Sequence, residues 1–492
     1  MLRRLALLLI ATLLLAAPAQ AQKDSVSIGM TLEPPHLDPT GGSPAQAIRE
    51  VTYLNIYEGL VRLDRSGAIQ PLLATSWALS SDGLTYYFRL RDEVSFHDGT
   101  AFTAETAKFT LERALATDST NSQKWIFAPI TGIEASDART LVIKLKEPTA
   151  NFLYGLAWGD AVMFHPNSVA NNKTSPVGTG PYRFERWNRG DRVELAKNDR
   201  YWRADAATLR RATFRFIADA QAQVNAVRAG DVDAISNLAG PEAAEPLKSD
   251  RRFAVVNGAT EGETIVGLNN QKAPFNDVRV RRALAHAIDR RQVIAGAMSG
   301  FGTPIGSHFS PVHPAYVDLT GLYPYDPAKA RALLAEASHP NGFAATLRLP
   351  PPPYARRSGE IVAALLGQVG IRVTIEPIEF AQWLDQVFRN KNFDMTIISH
   401  TEPLDINIYA RDDYYFGYRD PEFKALIERI GRTLDEAERN KLYGEAQRKL
   451  ATDAVNVFLF QLPKIGVWSA NLQGMWENWP LPANPLAELR WR

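Results

Sequence analysis

The chain has 492 residues, 45% of them hydrophobic and 22% charged, which is globular composition and too long for one ordinary domain. A formal net charge of +1 excludes a general electrostatic attraction to nucleic acid or to an anionic membrane surface. The absence of cysteine excludes disulfides, thiol nucleophiles and Cys-ligated metal sites.

Residues 1–21 have the pattern of a secretory leader. Arg3-Arg4 is the positive region, Leu5 to Ala17 the apolar region, and Ala19-Gln20-Ala21 an A-x-A cleavage site. The apolar run is too short to span a bilayer comfortably. The chain is therefore expected to be exported and cleaved after Ala21. With no cysteine to carry a lipid anchor, the mature protein is expected to be free in the periplasm.

Val26-Ser27-Ile28-Gly29 reads as a first strand, and the Pro-rich loop Thr31 to Pro39 follows it. Residues 46–60 look helical. Trp77 lies in a short strand, Asp82-Gly83 turns, and Leu84 to Leu90 is a second strand. Thr103 is placed to cap a helix with Glu105 in its first turn. A strand pair near Ile130 to Glu134 and Leu141 to Leu145 leads to a short helix around Asn151 to Leu156.

From Pro176 to Trp202 the pattern is a hairpin. Gly178 and Gly180 supply conformational freedom, Tyr182 to Trp187 alternates, Asn188 to Asp191 turns, and Tyr201-Trp202 closes it. Thr213 to Ile217, a helix from Asp219 to Ala229 stopped by Gly230, and Asp231 to Ile235 make a βαβ rhythm, so the fold class is α/β. Glu263 to Asn269 is a further strand. Asn276 or Asp277 caps a helix with a buried stripe of Val280, Leu284, Ala287 and Ile288. The arginines 279, 281, 282, 290 and 291 are expected on its solvated face. Residues 300–325 read as a long loop, Asp326 to Ala337 as a helix with Pro327 at its first position. After the run of prolines 350–353 come a helix from about Ser358 to Val369, the strand Ile371 to Glu376 and the apolar strand Phe393 to Ile398. The loop 399–418, two helices (421–431 and 434–452) and strands over 455–460 and 465–468 complete the chain.

GTGPY…W…G…L…N…YW, the 71–112 segment, NNQKAPFNDVRVRRAL, YDPAKARALLAEA and ARRSGE…GIRVTIEPIEF occur in matching order and cover most of the chain. Together they resemble the peptide-type (family 5) extracellular solute-binding proteins of ABC importers, which bind oligopeptides, dipeptides or nickel. The resemblance implies a periplasmic binding protein-like II fold, with two lobes joined by a two-strand hinge and a small extra subdomain on the first lobe. It divides the chain into a first lobe (22–50, 176–269 and 465–492), a subdomain (51–175) and a second lobe (270–464).

The same resemblance supplies ligand-site candidates. Glu33 stands in the first-lobe loop, and Trp125 and His165 in the subdomain. Asn269 sits beside the expected hinge. Arg356 or Arg357 resembles the arginine that holds a peptide carboxylate, a task suited to a planar guanidinium. Phe380 takes a position often given to a pocket aromatic. The loop after Ile398 departs from the family pattern. Where peptide binders read Gly-Trp and then an aspartate for the ligand ammonium, this chain reads Ser399-His400-Thr401-Glu402-Pro403-Leu404-Asp405. His400 replaces the tryptophan, the aspartate position falls near Pro403, and Glu402 or Asp405 is left to supply the anion.

No metalloprotease, P-loop or nucleophile-elbow motif is present. His308 and His313 lie in a Pro-rich loop with no carboxylate nearby until Asp318, so neither metal nor cofactor is expected. The expectation is a monomeric, non-enzymatic periplasmic protein that delivers a short peptide or peptide-like compound to an inner-membrane ABC permease. An opine, an oligosaccharide or a metal chelate is the alternative cargo. A secreted glycan hydrolase or a periplasmic chaperone is the alternative class.

Overall fold

The structure, a computed structural model, describes residues 23–42, 46–238, 240–402 and 404–492. The expected leader and its cleavage site lie outside the described residues. Two long strands, Phe253–Leu268 and Val457–Ser469, run antiparallel through the middle of an 11-stranded sheet. On one side of them lie the strands at 25–30, 211–216 and 234–235 and the hairpin 182–188/192–197. On the other side lie 395–400, 344–349 and 372–377.

These two strands serve both lobes in turn. Ala254 and Val256 pack with the first-lobe core, whereas Val266 and Leu268 belong to the second. In the partner strand, Val457 and Leu459 pack in the second lobe, and Ile465 and Val467 against the first-lobe helix Ala220–Ala229. The change of lobe coincides with a break in register between Ala259 and Glu263, opposite Gln461 to Pro463. Proline cannot donate to the ladder, so the pairing is weakest where the lobes must bend. The strands expected separately at 455–460 and 465–468 are thus one element.

The small subdomain is a four-stranded antiparallel sheet, with strands 74–79, 85–90, 140–145 and 130–137 in that order. The helix Ala104–Leu115 covers it, and Thr103 caps that helix through a capping box with Thr106. Its apolar residues merge with the first-lobe core.

The hairpin signature docks on the turn that follows the helix Gln46–Thr52. A Cβ on Gly178 would lie 1.9 Å from the Ile56 carbonyl oxygen, and one on Gly180 would lie 2.2 Å from that of Asn55. Neither glycine has a positive φ. Close backbone approach, not an unusual backbone angle, is what requires glycine at both. Thr179 Oγ1, Tyr201 Oη and Trp202 Nε1 then donate to the buried Glu58 at 2.9, 2.7 and 3.3 Å. This docking explains why the helix expected over 46–60 stops at Thr52, with the next residues turned back to receive the hairpin.

Two expectations about the second lobe are corrected. The helix capped by Asp277 ends at Ala287, and a second one, Arg290–Met298, starts from the Asp289 cap. Nor do all the arginines face solvent. Arg281 and Arg290 are buried, donating to the carbonyls of Ala454, Phe275 and Asp453 and of Phe458, Ile305 and Tyr323 respectively. A guanidinium can be buried when its donors are taken by carbonyls, and these two stitch loops to the helix pair.

Candidate ligand cleft between the lobes

At the hinge the lobes enclose a cavity of about 520 Å³, walled by Thr31, Leu32 and Glu50 on one side and by Pro352, Tyr354 and Arg357 on the other. A second cavity of about 460 Å³ lies between the subdomain side and the second lobe, bordered by Tyr154, Glu261, His313, Leu404 and Tyr443. The lobes touch beside the second. Asn151 Nδ2 donates to Tyr443 Oη at 2.8 Å, Arg432 Nε to Glu147 at 3.1 Å, and Ala150 N to the Gly431 carbonyl at 2.9 Å.

The arginine pair is set by an early helix start. The helix Pro353–Gly367 begins inside the proline run, with Pro353 at its first position. Arg357 then reaches across the cleft, giving Nη1 and Nη2 to the two oxygens of Glu242 at 2.8 and 2.9 Å. This fork holds the Glu242 carboxyl below its ordinary range. Arg356 lies 3.7 Å from Glu379, and its buried Nε has no partner among the described residues.

The loop after the strand Met395–His400 gathers carboxyl groups. Glu402 Oε2 accepts from Gln123 Nε2 at 3.4 Å, and Gln123 Oε1 accepts the Trp125 indole N–H at 2.7 Å, so the structure links two of the expected residues through a third. Burial pushes Glu402 above the usual carboxylate range. Glu261 is pushed up to about 7, first by desolvation and then by Asp405. Glu263, buried beside Asp405 and Glu261, is also pushed up. Arg49, a nearby cation, already pairs with Asp160 at 3.1 Å. Desolvation thus disfavours the charged form of Glu402, Glu261 and Glu263 alike.

His400 is enclosed by Tyr415, 3.1 Å from its Nε2, and by Phe416, and burial lowers its pKa to about 4, so the ring is neutral. Asp405 accepts from His308 Nε2 at 2.7 Å. The position expected for the family's aspartate, Pro403, lies outside the described residues.

Other expected residues sit apart from the cavities. Glu33 accepts from Trp187 Nε1 and Gly190 N, pinning the hairpin turn, while its neighbour Leu32 walls the cavity. Asn269 Nδ2 donates to the carbonyls of Lys391 and Phe393. His165 packs edge-on to Phe96 and accepts from Asn167 N. Phe380 stacks on Trp383 with its face exposed. The residues that sequence reasoning passes over are Glu242, Gln123, Arg49, Asp160, Glu261 and Glu263. One signal was available for the last two, since carboxyls at 261 and 263 lie at the start of the mostly apolar, buried end of a strand.

The family model of bacterial extracellular solute-binding proteins, family 5, middle region, matches residues 68–417. The glutathione-binding protein GsiB of Pectobacterium atrosepticum is 31% identical over 493 residues, covering 94% of this chain and 93% of that protein. The periplasmic binding protein DppA of Helicobacter pylori, solved with the peptide STSA, is 26% identical with a TM-score of 0.81, covering 96% of this chain and 98% of that one. The substrate-binding protein CtaP of Listeria monocytogenes, at 20% identity, shares the fold with a TM-score of 0.84 over 96% of this chain and 99% of that one. No described helix is long and apolar enough to cross a membrane. A two-lobed sheet bent at paired hinge strands, an interlobe cleft with charged walls and a family match over most of the chain lead to one conclusion: the protein belongs to family 5 of the bacterial extracellular solute-binding proteins, which serve ABC importers.

Proposed function

We propose that the chain captures a short peptide or peptide-like compound between its lobes in the periplasm and delivers it to an inner-membrane ABC permease. The observation that carries this reading is that the interlobe space is bordered by both kinds of charge, a guanidinium of Arg357 at the hinge cavity and a carboxyl of Glu261 at the second. The ligand's ammonium goes to Glu402 and Glu261, carboxyls whose charged form burial disfavours and a cation would stabilise. Its carboxylate goes to Arg356 or Arg357 at the start of the helix Pro353–Gly367. Glutathione, the ligand named for the GsiB relatives, carries both kinds of group, as does the peptide held by DppA. Closure about the paired strands 253–268 and 457–469 follows when the ligand binds the closed state more tightly than the open one. Export by the leader, cleavage after Ala21 and a monomeric state belong to the same reading.

Mass spectrometry of the compound that copurifies with the exported protein tests it, followed by titration calorimetry with glutathione and with di- and tripeptides. A copurified peptide and heat of binding are expected. Binding only to an opine, a sugar or a chelate removes the peptide assignment and leaves the solute-binding class intact.

A further inference from the structure

We propose that Glu263, His308 and Asp405 form a binding site for a divalent transition cation of the zinc class, beneath the loop that faces the cleft. One ligand atom from each lies within 4.8 Å of the others. They come from three separate elements: the hinge strand just past its register break, the loop before Phe309, and the first residue of the turn Asp405–Ala410. Their juxtaposition is a product of the fold and not of any local motif.

Unsatisfied polar groups support the assignment independently. Glu263 is 3% exposed, and its Oε2 has no hydrogen-bond partner among the described residues. Ser310, whose backbone N–H reaches Glu263, has a fully buried hydroxyl that is also without a partner among the described residues. An orphaned carboxylate oxygen in a dry site is costly, and native structures retain one where an ion or a function compensates.

The surroundings are those of a metal ligand set. His308 is fully buried, with Nε2 toward Asp405 and Nδ1 3.0 Å from Tyr409 Oη. Tyr409 is in turn held by Asn456 Nδ2 at 3.2 Å. A second hydrogen bond to the far ring nitrogen is how proteins fix the orientation of a metal-binding imidazole. His400 Nδ1, 3.7 Å from Asp405 Oδ2, stands beside this set of three without belonging to it. One imidazole and two carboxylates suit tetrahedral zinc with a fourth position left to water, the ligand atoms standing roughly 3.4 Å apart at metal–ligand distances of about 2.1 Å. Imidazole in so small a set disfavours magnesium and calcium, which take six or more oxygens. A bound cation would tie the cleft loop to the hinge strand. This site does not depend on the identity of the transported solute, because Glu402, Glu261, Arg356 and Arg357 are not among its ligands.

The test uses the tag-free, chelator-dialysed full chain. Zinc is titrated by calorimetry, the bound metal is counted by plasma mass spectrometry, and magnesium serves as the control. One equivalent of zinc with no magnesium is expected, together with a rise in melting temperature. Glu263→Gln preserves shape and is expected to weaken zinc at least about 10-fold, with the metal-free circular dichroism spectrum unchanged. His308→Gln gives the second reading should Glu263→Gln fail to fold. Absence of bound zinc, or an equivalent of zinc that survives both substitutions, overturns the proposal.

Discussion

Arg357 of the second lobe holds both carboxylate oxygens of Glu242 of the first, at 2.8 and 2.9 Å, across the mouth of the hinge cavity. Nearly half of each side chain remains solvated, so the pair contributes at most about 1 kcal/mol to stability. Its consequence is competitive, because a ligand carboxylate that uses Arg357 must displace Glu242. Glu242→Gln is therefore expected to raise the affinity for a carboxylate ligand several-fold. Arg357→Ala is expected to lower it about 10-fold or more, as loss of a charged hydrogen-bond partner does. Calorimetry on the two variants reads opposite signs. Arg356→Ala is the parallel arm, and unaltered binding in both arginine variants rules out the arginine assignment.

Glu58 links the hairpin signature to pH. Burial raises its pKa to about 7 from 4.5, even with Tyr201, Thr179 and Trp202 donating to it. The folded state therefore holds a proton that the unfolded chain has lost between about pH 4.5 and 7. This contribution to stability is complete below pH 4.5, declines as pH rises to about 7, and is flat above that. Glu58→Gln keeps an acceptor oxygen for Thr179 and Trp202 and turns an N–H toward the Tyr201 hydroxyl, which can accept it, and is expected to remove this slope, measured as the wild-type minus variant difference in denaturant unfolding. Glu58→Ala leaves the donors unpaired and is expected to cost about 2–4 kcal/mol at pH 7.

Gly178 has no room for a methyl group, since the obstacle is the Ile56 carbonyl of the main chain and not a movable side chain. Gly178→Ala is expected to destabilise by at least about 2 kcal/mol. Gly190, at the hairpin turn with φ +75° and nothing within 4 Å of its Cβ position, is limited by its backbone angle alone. Gly190→Ala is expected to cost only about 1 kcal/mol. Melting curves of the two variants separate close approach from backbone conformation.

Local chemistry makes much of this fold legible in the sequence. The Asp219 and Thr103 caps, the Gly230 stop and the alternation of the hairpin each declare an element within a few residues. What is hidden depends on distant partners. The length of the strands 253–268 and 457–469 follows from their pairing with each other. The truncated helix at Thr52 follows from docking of a segment more than a hundred residues later.

The cleft divides in the same way. Arg356 and Arg357 are legible as a pair of guanidinium groups beside a proline run, but Glu242, the counterpart of Arg357, stands 115 residues from it. His308 looks isolated because its carboxyl neighbour Asp405 is 97 residues away. Glu33 illustrates the reverse case: its loop reaches the cavity at Leu32, and a one-residue step turns its own side chain to Trp187.

The central claim is that the cleft takes a ligand by its ammonium and its carboxylate together. Titration calorimetry of the same tripeptide with a free and with an acetylated N-terminus, on wild type and on Glu402→Gln, tests it most directly. The expected result is tight binding of the free peptide to wild type, with a loss of about 10-fold or more from either acetylation or the substitution, and little further loss when the two are combined. Equal binding of the free and acetylated peptides, or no binding of any peptide, contradicts it.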